Sequence, residues 1–287
     1  MTSTLGSAGY SAVPDDVGGA AARGWWDENA PEYQREHDGF LKDELVWGPE
    51  GLRESDAGLL GPVAGLDVLE IGAGAAQCAR WLAAQGARVV ATDVSIRMLL
   101  AGDTPGPAGV EGAACAGPGR SRGRAVADRA RPVPLVQADA RALPFAAASF
   151  DTVFTAYGAV PFVPDARRIH SEVARVLRPG GTWAFSVTHP VRWAFPDDPG
   201  EKGLTVHRSY FDRRPYVESD GAGRVTYAEY HRTVGDHVRD VVSAGLQVVD
   251  VVEPEWPESN QQVWGGWGPV RGRLIPGTMV VVARRPG

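Results

Sequence analysis

Apolar positions along this chain recur with two periods. Short runs rich in Val, Leu, Ile and Phe read as strands: LDVLEI (66–71), ARVVATDV (87–94), PVPLVQADA (132–140), SFDTVFTAY (149–157), TWAFSVTH (182–189), LQVVDVVEP (246–254) and TMVVVARR (278–285). Between them lie stripes at helical spacing. The clearest follows Pro164: Asp165 is its cap, Ile169, Val173, Val176 and Leu177 form one face, and Arg178-Pro179-Gly180-Gly181 ends it. AAQCARWLAAQG follows the first strand as a second helix, and Thr233 caps a third, VGDHVRDVVSAG, closed by Gly245. Upstream, GWWDENAPEYQREHDGFL predicts a helix. PEGLRESDAGLL predicts another, with Pro49 in its first turn and Leu52, Leu59 and Leu60 turned inward. Strands separated by helices, with a paired strand at the end, predict an α/β sandwich.

Three stretches break the pattern. Residues 1–22 lack large apolar groups and are expected to be a flexible tail before a domain spanning 23–287. Residues 102–132 are dominated by Gly and Pro with recurring Arg, which predicts a disordered insertion rather than a basic binding arm. Residues 190–233 are too long for a simple connection. Two alternating runs around Ser219–Gly223 predict a hairpin within a flap over the substrate.

Composition narrows the function classes. A chain of 287 residues with 44% hydrophobic and 22% charged residues can bury a globular core. Its net charge of −6 argues against a nucleic-acid partner, which demands a basic face. The two cysteines, Cys78 and Cys115, form no metal spacing and no disulfide framework, and no apolar run is long enough to span a bilayer. With no basic, apolar leader at the start, the expectation is a soluble cytoplasmic protein without a metal.

The chemistry is concentrated in VLEIGAGAAQ, residues 68–77. An apolar strand stops at a glycine-spaced turn and a helix follows, a unit that holds either a dinucleotide or S-adenosylmethionine (SAM). The dinucleotide pattern requires small residues at Gly72, Gly74 and the sixth position, which here is Gln77. Read as G-x-G-x-G, the third position is Ala76, a near miss. Glu70 puts a carboxylate where a dinucleotide-binding strand stays apolar but where an ammonium could be met. The turn therefore leans toward SAM. Asp93, at the end of the second strand, suits ribose hydroxyls with either cofactor, or caps the helix that starts near Ile96.

Taken together, E-x-G-x-G, an acidic end to the second strand, D-A-x-x-L-P-F (139–145), F-D-x-V (150–153) and L-R-P-G-G (177–181) resemble the class I SAM-dependent methyltransferases, in their small-molecule group. The resemblance covers Gly24 to Arg285 apart from 102–132. It implies a Rossmann-like doubly wound, mostly parallel seven-stranded sheet with an antiparallel last strand, helices on both faces and a flap inserted after the fifth strand. It also implies SAM as cofactor and S-adenosylhomocysteine as product. Gly72, Ala73 and Gly74 would pass under the methionine half, Asp93 would hold the ribose and Met98 would pack near the adenine. Asp139 and the Ala140 N–H would meet the adenine edge. The carbonyls of Thr155 and Ala156 would receive the ammonium, and Tyr33 would close over the carboxylate.

Methyl transfer from a sulfonium is an in-line displacement, so alignment and exclusion of water are the protein's main tasks. A general base helps when the acceptor brings a proton. His189, directly after the fifth predicted strand, is the first candidate, and His231, where the flap returns, is the second. His37, His170, His207 and His237 read as surface or packing residues. Aromatics of the flap and of EPEWPESNQQVWGGWGP could wall an apolar or aromatic small-molecule acceptor, and roughly half suffice for a flap's own small core. A macromolecular (protein or RNA) methyltransferase and a non-catalytic SAM-binding protein are the alternatives. The oligomeric state stays open.

Overall fold

The computed structural model describes residues 6–41, 44–102 and 132–287, with the side chains of 36–41, and so of His37, outside the description. The chain begins with a short strand, β1 (Ser7–Tyr10), and a long helix, α1 (Asp15–Leu41). A single helical turn, α2 (Glu54–Ala57), leads into β2 (Asp67–Ile71), α3 (Gln77–Ala84), β3 (Arg88–Asp93) and α4 (Ile96–Ala101). Then come β4 (Leu135–Gln137), β5 (Phe150–Ala156), α5 (Ala166–Val176) and β6 (Leu177–Thr188). A hairpin of β7 (Tyr216–Ser219) and β8 (Val225–Glu229) precedes α6 (Val234–Ser243), β9 (Gln247–Val252), the turn α7 (Pro269–Gly272) and β10 (Thr278–Arg284). From 103 to 131, the expected insertion and Cys115 with it lie outside the described residues.

Seven strands form one sheet in the order β4-β3-β2-β5-β6-β10-β9. It is parallel through β6, and β10 runs antiparallel to both β6 and β9. This is the expected Rossmann-like sheet. Strand alternation sends Leu69, Ile71, Val153, Trp183 and Phe185 to a core shared with Ile169 and Val173 of α5 and Val241 of α6. Val68, Phe154, Ala184 and Val280 face a second core with Leu82 of α3 and Trp47. The caps act as the residue types dictate. Asp165 accepts from the Arg167 N–H, and Thr233 and Asp236 form a reciprocal capping box at 3.1 and 3.0 Å.

Three expectations change. Residues 7–22 do not form a tail. β1 pairs with β7, Ser7 opposite Ser219 and Tyr10 opposite Tyr216, and α1 begins at Asp15. Tyr10 sits 3.5 Å beneath the Arg208 guanidinium, Ala21 and Ala22 are buried, and any Cβ at Gly18 would run into the Tyr230 hydroxyl. Small residues pack by close backbone approach, which leaves no hydrophobic pattern to read. The helix expected over 49–60 shrinks to α2, because Gly51 (φ +89°) and Gly58 (φ +59°) break it. Its residues fold around the buried Glu54 carboxylate, which accepts from Trp47 Nε1 and from the N–H groups of Leu59 and Leu60. Finally, α5 stops at Val176 and β6 starts at once, so Arg178 bridges Asp67 and Asp151, both at 2.9 Å, instead of lying in a helix end. Among the described residues no helix is long and apolar enough to cross a membrane.

Candidate functional site

The chain runs outward from β2 to β3 and β4, then returns to β5 on the other side of β2. The carboxyl ends of β2 and β5 therefore flank the switch point where an open α/β sheet binds ligands. A cavity of about 620 Å³ lies there. Gly72–Gly74, Asp93, Val94, Ala138–Arg141 and Ala156–Ala159 form its floor. Gly19, Arg23, Trp26, Tyr33 and Gln34 of α1 cover it, and Gly48, Pro49, Trp264 and Trp267 close one end.

The turn after β2 is held by backbone contacts. Gly72 has φ +64°, and a Cβ there would stand 2.6 Å from the Ala159 nitrogen and 2.9 Å from Gly158 Cα. Gly74 (φ +55°) donates its N–H to Asp93 Oδ2 at 2.8 Å, while Asp93 Oδ1 accepts from the Ser95 N–H at 2.8 Å. Asp93 thus ties the turn to the start of α4, and burial raises its pKa despite these donors. Ala76 takes the left-handed conformation (φ +57°) in the third glycine's place, at a cost of about 1 kcal/mol. Met98, the N3 residue of the Ser95-capped α4, lies buried beneath Gly74.

Glu70 alternates with Leu69 and Ile71, so it points toward α3, where Oε2 accepts the Ala79 N–H at 2.9 Å. Burial pushes its pKa up to about 8 and lifts the neighbouring Cys78 thiol well above its usual range. A carboxyl raised in the folded state favours folding when protonated, so its contribution is lost as pH rises from about 4.5 toward 8. Glu70→Gln is therefore expected to flatten the pH dependence of stability across that window, measured by urea denaturation at several pH values. An unchanged slope would place the carboxyl's ionisation elsewhere.

At another edge of the cavity, Asp139 is buried enough to oppose ionisation, yet Arg141 holds its pKa below the usual carboxylate range. The guanidinium reaches it at 2.7 Å through Nη2, and the Arg141 N–H donates to Oδ1 at 2.8 Å. Over the cavity, Trp26 meets Tyr33 and Phe162 edge to face at 5.2 and 5.3 Å, and burial pushes the Tyr33 hydroxyl up to about 12.

Of the sequence-predicted residues, Tyr33, Glu70, Gly72, Ala73, Gly74, Asp93, Met98, Asp139, Ala140 and Ala156 come together on this cavity. Thr155 is fully buried behind Gly158 and is not part of the wall. His189 and His231 are not part of it either. His189 Nδ1 accepts from the Val191 N–H as the cap of the turn 190–194, and Nε2 faces Glu253 Oε1 at 2.8 Å. His231 Nε2 is 2.7 Å from the Tyr210 carbonyl, its ring 5.5 Å from Trp193. Burial lowers the pKa of both. The flap aromatics Trp193, Tyr216 and Tyr227 pack with Tyr10, Trp25 and Phe162 as a small core, and only Trp264 and Trp267 of the expected set reach the cavity.

Several wall residues carried no sequence signal. Trp26 and Gln34 come from α1, Phe162 from the turn 160–162, and Tyr157 from just past β5 with φ +54°. Position relative to a strand end could have marked Tyr157. The cavity also fits an amino-acid-bearing nucleoside: Gln34 Nε2, a donor, and Gln77 Oε1, an acceptor, are buried on its wall without partners among the described residues. A carboxylate would satisfy the first and an ammonium the second.

Residues 69–185 match the family model of a methyltransferase domain. A demethylmenaquinone methyltransferase of Mycobacterium sp. (strain JLS) is 38% identical over 130 residues, 45% of this chain and 44% of that one. The chain spans 40–49% of the length of the curated relatives it matches. The crystal structure of an S-adenosylmethionine-dependent methyltransferase from Mesorhizobium loti superposes with a TM-score of 0.59 at 26% identity, covering 83% of this chain and all of that one. A Burkholderia thailandensis 1,6-didemethyltoxoflavin-N1-methyltransferase, solved with bound 1,6-didemethyltoxoflavin and S-adenosylhomocysteine, has the same fold (TM-score 0.57, 17% identity, covering 100% of this chain and 98% of that one).

Proposed function

We propose that this chain is a class I SAM-dependent methyltransferase that methylates an O, N or C atom of a small planar aromatic acceptor. One observation carries the acceptor class. The charged side chains of the cavity are Asp16, Arg23, Glu70, Asp93, Asp139 and Arg141, while the part formed by Tyr157, Phe162, Trp264 and Trp267, with Trp26 above, is aromatic. Such walls recognise a flat, uncharged ring system by stacking and exclude water. Relatives named for demethylmenaquinone and 1,6-didemethyltoxoflavin support the same reading.

The cofactor, when bound, supplies an electrophilic methyl group on a sulfonium. Asp93 and the turn it braces would hold the ribose, and Glu70, Gln34 and Gln77 would hold the amino-acid end. Asp139 and Ala140 would meet the adenine edge, with Tyr33 and Trp26 closing the site from α1. Alignment of this kind supplies about 7–11 kcal/mol of barrier reduction when reacting atoms are held in line. His189 and His231, anchored in the flap, are read as parts of its packing.

Calorimetric titration with S-adenosylhomocysteine and with NADH tests the cofactor, and an arene panel followed by product release tests the acceptor. Saturable binding of the first ligand alone, with transfer to arenes, is expected. Binding of NADH, or transfer to protein or RNA but to no arene, would overturn the reading.

A further inference from the structure

We propose that Tyr157, Thr278 and Glu50 form a proton relay that removes the acceptor's proton as its new bond to carbon forms, an assignment that rests on the acceptor reading above. Tyr157 is part of the cavity wall beside Phe162 and Trp267. Its hydroxyl lies 2.7 Å from Thr278 Oγ1, and Thr278 Oγ1 donates to Glu50 Oε2 at 2.5 Å. A threonine hydroxyl has one proton. With that proton on Glu50, Thr278 receives the proton of Tyr157, so the hydrogen bonds run from the cavity wall inward to the carboxylate.

Glu50 is 3% exposed; Thr278 donates to its Oε2, and the backbone of Glu50, Gly277 and Thr278 also acts on the carboxyl. No side chain among the described residues donates to its Oε1. Burial raises the pKa of this carboxyl, against the opposing hydrogen bonds from Thr278 and the nearby backbone. The surroundings nevertheless make room for it. A Cβ at Gly277 would stand 2.5 Å from Oε1 and one at Gly48 would stand 2.8 Å from Oε2. The remaining charges acting on Tyr157 are Glu229 and Arg192 on the flap side, with Arg192 paired to Asp197 at 2.7 Å.

The step balances. The acceptor's heteroatom forms its bond to the methyl carbon as the carbon–sulfur bond breaks. The acceptor's proton moves to the Tyr157 oxygen, that of Tyr157 to Thr278, and that of Thr278 to Glu50. The sulfonium's positive charge and the carboxylate's negative charge disappear together, so a dry cavity ends with no net change of charge. Carbon acceptors and heteroatoms already ionised do not call on the relay.

The test uses the full chain with sinefungin, which carries an amine in the sulfonium's place, and 4-nitrophenol, whose absorbance reports its own ionisation. At a pH where the free probe is mostly the phenol, wild-type protein is expected to bind it largely as phenolate. Glu50→Gln, Thr278→Val and Tyr157→Phe should each abolish that shift while sinefungin affinity, measured by calorimetry, stays within about twofold. With SAM, Glu50→Gln should lower kcat about a hundredfold for 2-naphthol but leave KM, and leave turnover of an ionised phenolate nearly intact. A merely structural role would depress both substrates equally. Equal ionisation of the bound probe in wild type and Glu50→Gln overturns the relay alone. A protein that binds sinefungin but no phenol overturns the acceptor reading and the relay with it.

Discussion

Asp93→Ala is expected to weaken S-adenosylhomocysteine binding about a hundredfold or more, roughly 3 kcal/mol, since hydrogen bonds to a charged acceptor contribute ~1.5–3 kcal/mol each. Two effects act together. The carboxylate proposed to hold the ribose hydroxyls is lost, and so are the bonds that hold the Gly74 and Ser95 N–H groups at 2.8 Å. Calorimetric titration against Asp93→Asn separates them, because asparagine keeps one acceptor for the turn. If Asp93→Ala binds as tightly as wild type, Asp93 does not hold the cofactor, and the site must be sought away from the β2–β3 edge.

Gly72→Val should produce the largest loss of stability, about 2–5 kcal/mol. The left-handed conformation costs an L side chain ~1–2 kcal/mol and overpacking ~1–3 kcal/mol more. The new Cβ would press on backbone, the Ala159 nitrogen at 2.6 Å, which no rotamer change relieves. Thermal unfolding should shift down by about 4–20 °C for a domain of this size. Gly180→Ala is the control: φ is +80° there but a Cβ meets nothing within 4 Å, so only the conformational cost of about 1 kcal/mol remains. Equal losses at both positions would show that crowding between the two turns is not what requires glycine at 72.

The same pair of turns explains why part of the site could be read in the chain. Gly72, Gly74, Asp93 and Met98 belong to one continuous strand–turn–helix–strand–helix unit, and local spacing alone brings them to one strand end. Asp139 and Ala156 follow by the same logic from the ends of neighbouring parallel strands. Glu50 was not legible. It lies in a stretch that looks helical, and its partner Thr278 is 228 residues away, so only the antiparallel approach of β10 beside β6 brings them together. His189 looked well placed for the opposite reason. Its position after β6 is right, but the turn at Pro190 uses its Nδ1 as a cap and holds the ring toward Glu253.

Periodicity determined the alternation of strands and helices and the helix caps, because each depends on residues within one or two turns of each other. The spacing of Glu70, Gly72, Gly74 and Gln77 leaned toward SAM, and the wider set of motifs resembled the methyltransferases that bind it. Tertiary structure decided the rest. It paired a short N-terminal strand, β1, with the flap, packed α1 over the cavity, gave the flap's aromatics to a core of their own, and left Trp26, Tyr157, Phe162, Trp264 and Trp267 on the cavity wall. Those residues come from three separated stretches whose meeting depends on long-range packing, and no local pattern of polar and apolar positions encodes a meeting of that kind.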